Sequence, residues 1–589
     1  MSSRRAKPAA PHAAPAVTTP SAPPARSPRW LKLVLIALTA LTLMAMFSGE
    51  IADPDAWIHF ATGRWMVQHH QLPIPDPFAW TTYMGQPVYG NEYFTRDFNL
   101  KHEWLGQVVF YLIFAAGGPV GMVLFRAACV SLFCGITGWI VYRRTGAAWT
   151  GILATLAGAQ VARMIANDRP YVVTYLLIAT VVLIYERRRP LWVLVPLFVF
   201  WANFHGGFFA GWVILGAYCG EALLQRLRGK PPADERALWG WSIGAFFAGG
   251  LNPAFFGIIP AMFAYRQSFM QNTLREWHVP ALNDLSAYPF LLVGAAAMLV
   301  WARRRARPAD WIMYLAFALL SLMAQRNIVF LAMIGPLIIF SYLPPVKRVA
   351  ERQIDLAAAA LAAVLCVAAL GSGRAFQLRV ASWKYPDGAI AFLKRHNISA
   401  PMFNLYEWGG YLMWAAWPQE KTFVDGRALN ESVFRDYWRV ARNFADAPRI
   451  LDQYGVQVIL LEGFEYGSGV AYKLGAMLAA PSQTAWKLVY QDQTAMLFMR
   501  QPPAGVQPLP PTQVFDSLDA QCSDHLSHQP EAPRCALGLG GDLYPRLNMV
   551  DKSRYWLERY VSLERNPDPA AQQLLQQLQS GTFHAPQAR

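Results

Sequence analysis

Apolar blocks close to the length of a bilayer-crossing helix recur along the first two thirds of this 589-residue chain. Each ends in a short basic or polar junction. A bilayer core of roughly 30 Å takes about 20 helical residues to cross. Inside it the backbone must satisfy its own hydrogen bonds, so blocks of this length can only be helices. The chain is 54% hydrophobic and 15% charged, against about 25% charged in soluble domains. The net charge of +15 raises nucleic acid as a partner, but its distribution excludes it. Basic residues sit in clusters at block ends, as orientation signals do, and not on a basic helix with interleaved stacking aromatics.

The expected fold class is therefore mostly α: a polytopic membrane protein of about 11 transmembrane helices, N-terminus in and C-terminus out. Residues 1–29, rich in Ala, Pro, Ser and Thr, read as a disordered cytoplasmic tail. The block "WLKLVLIALTALTLMAMF" has a basic flank but no A-x-A-like cleavage site behind it, so it reads as an uncleaved first span. A first outer loop follows over 50–119, with an apolar stretch at 105–116 that is too short to cross and is expected to lie at the interface. Later spans return to "RRTG", "ERRR", "RLRGK", "RRRAR" and "VKRVAER" inside, and exit at "NDRP", "NFHGG", "LNP" and "QRN" outside. The membrane module closes at about residue 372.

The two faces differ. Inner junctions carry plain Arg/Lys clusters, whereas outer junctions carry mixed groups: Asp53, Asp55, His59, Glu92, Glu103, Asp168, Arg169, His205, Asn252, Arg326 and Asn327. Any one of these could cap or snorkel. Their gathering on one face is what an outward polar cavity would produce, and ionisable groups near membrane depth mark substrate paths or reaction centres.

Residues 373–501 turn soluble. "DGAIAFLKRHN" predicts a helix, "PMFNLYEWGGYLMWAAWP" a strand, turn and helix, and "KTFVDGR" a short strand. "VQVILLEG" predicts a buried strand and "WKLVYQDQTAMLFMR" a hairpin, together an α/β domain with a largely parallel sheet. Residues 502–589 read as a Pro-rich linker and a helical tail. Cys129, Cys134, Cys219 and Cys366 fall in spans as packing residues, while Cys522 and Cys535 could pair in an oxidising compartment.

"ADPDAWIHFATGRW" at 52–65 carries most of the chemistry. Two aspartates one residue apart can hold a hard divalent cation (Mg or Mn), and one can instead act as a general base. The plain alternative is a Pro-containing turn capping a juxtamembrane helix. His59, four residues past Asp55, would share its helical face as a third metal ligand or as a hydrogen-bond partner. Arg169 and Arg326 could clamp a phosphate, with Asn327 beside them. Glu103 and His205 would line the cavity, His205 equally serving as a helix-end cap.

The layout resembles the GT-C superfamily of membrane glycosyltransferases, which use polyprenyl-phosphate-linked sugars on the outer face. "DPDAWIHFATGRW" is similar to the "DP…Y/W-H" stretch in the first outer loop of oligosaccharyltransferase catalytic subunits, which implies a metal-binding, acceptor-activating role for Asp53 with Asp55 as second ligand. "NLYEWGGYLMW" resembles their acceptor-recognising "WWDYG" stretch, which places Glu407 and Trp408 at the substrate. Glu407 replaces the aspartate and the paired tryptophans are missing, so peptide-sequon recognition is not carried over. "HEWL", "DRP", "REW", "QRN", "EWGGYL" and "DGR" also resemble a group of bacterial multi-pass proteins without assigned function.

The resemblance implies a sugar moved from a polyprenyl-phosphate carrier to a glycan, lipid or protein acceptor. The setting would be a bacterial inner membrane, with membrane lipids around the spans and the C-terminal domain periplasmic. A transporter or lipid-carrier flippase is the alternative, but the two similar halves it would require are not visible in the sequence. A third reading is a non-catalytic assembly factor, in which Asp425 caps a helix and Arg427 pairs with it.

Overall fold

The computed structural model describes residues 28–187, 190–283, 286–346, 348–427, 429–465, 470–478, 483–530 and 532–583. The expected N-terminal tail lies almost wholly outside them, as do Arg188, Arg189 and Lys347 of two basic junctions.

The chain opens with α1 (Arg29–Phe47), α2 (Ala56–His69), α3 (Glu92–Lys101) and α4 (Trp104–Thr145). Next come α5 (Ala148–Ala162), α6 (Tyr171–Arg187), α7 (Leu194–Phe204), α8 (Phe209–Leu227) and α9 (Glu235–Ala248). Two short helices, α10 (Ile258–Ala264) and α11 (Phe269–Thr273), precede α12 (Ala287–Trp301), α13 (Pro308–Met323), α14 (Val329–Ser341) and α15 (Arg348–Gly371). A helix thus stands between each pair of junctions that the sequence marks as span ends. Among the described residues, four stretches are long and apolar enough to cross a membrane by length and composition: Arg29–Phe47, Glu92–Thr145, Gly206–Leu227 and Glu351–Gly371.

The apolar stretch at 105–116 is the first part of α4 and runs on into the next span. The two parts meet at Gly118, whose φ of 55° takes it out of helical geometry just before Pro119. Only glycine adopts that backbone cheaply, and proline ends the hydrogen-bond ladder behind it, so the bend is written locally.

Beyond α15 lie α16 (Asp387–Arg395), β1 (Met402–Asn404), α17 (Gly409–Ala415) and α18 (Glu431–Ala441). The strands that follow are β2 (Val458–Leu461), the small ribbon β3 (Phe464–Glu465) and β4 (Val470–Ala471), then β5 (Lys487–Gln491) and β6 (Met496–Met499). The main sheet has the order β1-β2-β6-β5. It is mixed, not largely parallel as expected: β1 and β2 are parallel, whereas β6 is antiparallel to both β2 and β5. The β5–β6 connection is a tight turn, which can only reverse the chain, while β1 to β2 crosses over through helices. "KTFVDGR" is not a sheet strand either; it makes a single bridge, Ala79 to Thr422, with the loop between α2 and α3.

The helix Gln513–His528 in the tail packs into the same core as the sheet. Val514, Leu518 and Trp556 are buried there with Ile459, Leu461 and Phe498. Cys522 and Cys535 form a disulfide, and the other four cysteines are free and buried.

Candidate active site

The DPD turn holds itself together before it does anything else. Asp53 Oδ1 accepts the Asp55 backbone N–H at 3.1 Å, an Asx-type turn across Pro54 that launches α2. Two residues upstream, Ile51 bridges Val380 at the entrance to the C-terminal α/β domain, donating to the Arg379 carbonyl at 3.0 Å and accepting the Ala381 N–H at 2.9 Å. The aspartates are therefore fixed between the helical bundle and the C-terminal domain.

The α5–α6 connection then delivers two side chains in opposite directions. Asp168 turns inward to Arg126, which also donates to the carbonyls of Phe47 and Gly49 at the end of α1. Arg169 turns to the DPD turn. Its Nε and Nη2 meet the two Asp53 oxygens at 2.6 and 2.9 Å, and Nη1 lies 2.9 Å from Asp55 Oδ2. Glu276, on the turn Arg275–Trp277, approaches the same Nη1 at 3.5 Å and carries the chain of charges on to Arg326 Nη1 at 3.3 Å. Arg326 stacks over Trp277, 4.7 Å from the ring centroid, and a third of its side chain is open to solvent. The Gln325 N–H to His278 carbonyl bond of 2.9 Å ties these two turns together.

The C-terminal domain forms the remaining wall, and two glycines permit its approach. A Cβ on Gly426 would lie 2.3 Å from Asp55 Oδ1, and one on Gly410 would lie 2.7 Å from the Pro54 carbonyl. Any side chain at either position would push the C-terminal domain off the DPD turn. Below Asp55, Arg427 pairs with both Asp425 and Asp76 of the loop between α2 and α3, at 2.7 Å each. Asn430 caps α18 and donates to the carbonyls of Thr81, Thr82 and Met84.

The sharing of Arg169 is unequal, and the two aspartates respond differently. Burial alone would raise Asp53, but the Arg169 charge and its paired hydrogen bonds outweigh that, holding the carboxyl below its ordinary range. Asp55 has a single contact with the guanidinium. Burial outweighs that contact, with Asp53, Glu276 and Glu407 adding repulsion, and its carboxyl is pushed up to about 7. Asp53 is thus a committed anion, and Asp55 gains and loses a proton near neutrality.

A second cluster centres on Glu103. His102 Nε2 and His205 Nε2 lie 3.1 and 3.4 Å from its Oε1, and His59 Nδ1 lies 4.0 Å from Oε2. His205 Nδ1 accepts the Gly207 N–H at 2.9 Å, so it is the helix-end cap and carries its proton on Nε2, towards Glu103. Burial pushes His59 down to about 4, leaving it neutral.

This arrangement does not fit the metal site expected from sequence. Asp53 spends both oxygens on Arg169, and His59 turns away to Glu103 although its backbone follows Asp55 by one helical turn. Among the described residues, no group of His, Cys, Asp and Glu is arranged to hold a metal ion.

Of the other expected residues, Glu407 is exposed on the turn Tyr406–Trp408, and its charge reaches Asp55. Trp408 is buried, donating its indole N–H to the Lys384 carbonyl at 3.0 Å, and Asn327 ties back to the Leu320 carbonyl at 2.9 Å. Both serve packing. The sequence reading did not assign Glu276 or Arg126 a role. Glu276 stood in the quoted "REW", while Arg126 was hidden inside an apolar span.

No known family's sequence profile matches this chain, and no curated protein matches it in sequence. Solved structures do match. The oligosaccharyltransferase AglB of Archaeoglobus fulgidus, in complex with an inhibitory peptide and a dolichol-phosphate, is 11% identical with a TM-score of 0.51, over 91% of this chain and 86% of that one. The apo crystal structure of the Archaeoglobus fulgidus oligosaccharyltransferase is 11% identical with the same TM-score, over 84% and 78%. The chain therefore shares, along most of its length, the fold of archaeal oligosaccharyltransferase, a GT-C-type glycosyltransferase.

Proposed function

We propose that this chain is a GT-C-like glycosyltransferase that moves a sugar from a polyprenyl-phosphate carrier to an acceptor at the outer face of a bacterial inner membrane. In this reading about eleven helices cross the bilayer and the domain after residue 372 is periplasmic. The observation that carries it is the meeting of Asp55, Arg169, Glu276 and Arg326 between bundle and outer domain. A base of near-neutral pKa and a half-open arginine are what this transfer needs.

The acceptor hydroxyl attacks the anomeric carbon as the bond from that carbon to the phosphate oxygen breaks. The hydroxyl proton passes to Asp55, and the phosphate leaves with its negative charge facing Arg326. One displacement inverts the anomeric centre. Archaeal AglB is described with a bound dolichol-phosphate, which supports a lipid phosphate as the donor here. The acceptor class is glycan, lipid or protein.

The test is equilibrium binding of a polyprenyl-phosphate-linked hexose to the purified protein in nanodiscs. Binding that weakens by about tenfold in Arg326→Ala, the loss of one charge-assisted contact, is the expected result. Wild-type protein that binds no such lipid overturns the reading.

A further inference from the structure

Arg169 is held by three carboxylates of its own chain. Nε and Nη2 are committed to Asp53, and Nη1 is directed at both Asp55 and Glu276. These carboxylates come from distant parts of the chain, the first outer loop and the turn after α11. What joins Glu276 to the two carboxyls of the DPD turn is the guanidinium between them. Without it, each would face the other two across a partly buried site, where like charges repel more strongly than in water. A ring of two or three carboxylate oxygens is also the surrounding that a hard divalent cation takes.

We infer that Arg169 is the resident cation of this site, its guanidinium filling the place among Asp53, Asp55 and Glu276 that a divalent metal would otherwise take. Arginine suits the task for three reasons. It cannot lose its proton, its planar fork matches the two oxygens of Asp53, and it cannot dissociate. The chain thereby keeps its carboxylates ordered and partly neutralised whatever the divalent-ion concentration outside. Since Arg169 directs its guanidinium at its own chain's carboxylates, the phosphate contact falls to the more exposed Arg326. The part that this cation would play in sugar transfer rests on the function proposed above; the assignment of the cation does not.

The experiment uses Mn²⁺ alone, with no sugar present. Free Mn²⁺ is titrated against purified full-length protein and read by electron paramagnetic resonance. Wild-type protein is expected to take up no stoichiometric Mn²⁺. Arg169→Ala is expected to bind one Mn²⁺ per chain, and to lose it again when Glu276→Gln is added. Arg169→Gln, which keeps most of the side-chain volume and removes the charge, is read in the same way should the alanine variant fail to extract as a folded protein. Stoichiometric Mn²⁺ on the wild type that disappears in Asp55→Asn overturns the inference. So does a folded Arg169 variant that binds none. A failed sugar-binding assay leaves these outcomes unaffected, so the two proposals fail separately.

Discussion

The two ends of the helical bundle carry the same inventory of charge in different states of closure. At one end lie Asp53, Asp55 and Glu276 with Arg169 and Arg326. At the other, past the length of α4, lie Glu186, Glu221 and Asp310 with Arg144 and Arg307. In the second group every member is tied at least twice. Arg144 makes two hydrogen bonds each to Glu186 and Asp310, and Arg307 makes two to Glu221 and a third to Glu186. The Tyr218 and Tyr342 hydroxyls take up remaining capacity at 2.7 and 2.6 Å. Glu221 and Asp310 are 3% and 0% exposed. In the first group the network thins outward, until the Glu276 and Arg326 side chains are 36% and 34% exposed. Three carboxylates and two arginines can either staple helices or present charge to a visitor. What separates the two is how fully the outermost arginine is tied: Arg307, 32% exposed, makes three hydrogen bonds to two carboxylates, whereas Arg326, 34% exposed, meets Glu276 through one at 3.3 Å.

The largest effect expected from this contrast is in Asp55→Asn. Transfer should fall by about 10³-fold, the usual scale for removing a positioned base, while the melting temperature holds. A comparable loss of transfer from Arg144→Ala with stability intact would reverse the roles assigned to the two ends.

Arg144→Ala should instead destabilise by about 3 kcal/mol or more, because it leaves the fully buried Asp310 without its cation and Glu186 with Arg307 alone of its two. Thermal unfolding in detergent measures it. Smaller again is Arg326→Ala, expected to raise the KM for a lipid-phosphate donor by about tenfold and to leave thermal unfolding unchanged.

The gentlest probe is pH. Transfer should rise as pH passes through about 7, where Asp55 loses its proton. Stability should move the other way. Between the ordinary carboxyl value of 3.8 and about 7, the folded chain keeps a proton that the unfolded chain has lost, so stability falls as pH rises across that window. Asp55→Asn should remove this part of the stability slope, measured as melting temperature against pH.

Much of this was legible because it is local. Span-length apolar blocks and the Pro-containing turn at Asp53 are each specified by one contiguous stretch. The pairing of Cys522 with Cys535 was legible as an option of the compartment. What sequence could not show is which charges meet. Asp53 and Arg169 are 116 residues apart and are joined by the packing of α1, α4 and α5, with no periodicity to announce it. The expectation that Asp55 and His59 act together failed for a related reason. One helical turn aligned their backbones, but Arg169 drew one side chain away and Glu103 the other. The mixed sheet was missed because three- and four-residue strands are too short for a pattern to distinguish a crossover from a hairpin edge.

The closeness of Gly426 to Asp55 has a consequence for how the protein is made. A ribosome completes α1 to α15 before residues 402–427 exist. Until then the DPD turn has no Gly410 or Gly426 against it, and Asp76 has no Arg427. The earliest-synthesised part of the site thus waits for one of the latest to cover it. A chain arrested before residue 402 would carry a membrane bundle with its acidic turn uncovered, and a water-soluble carboxyl-modifying reagent should label that turn faster than in the finished protein.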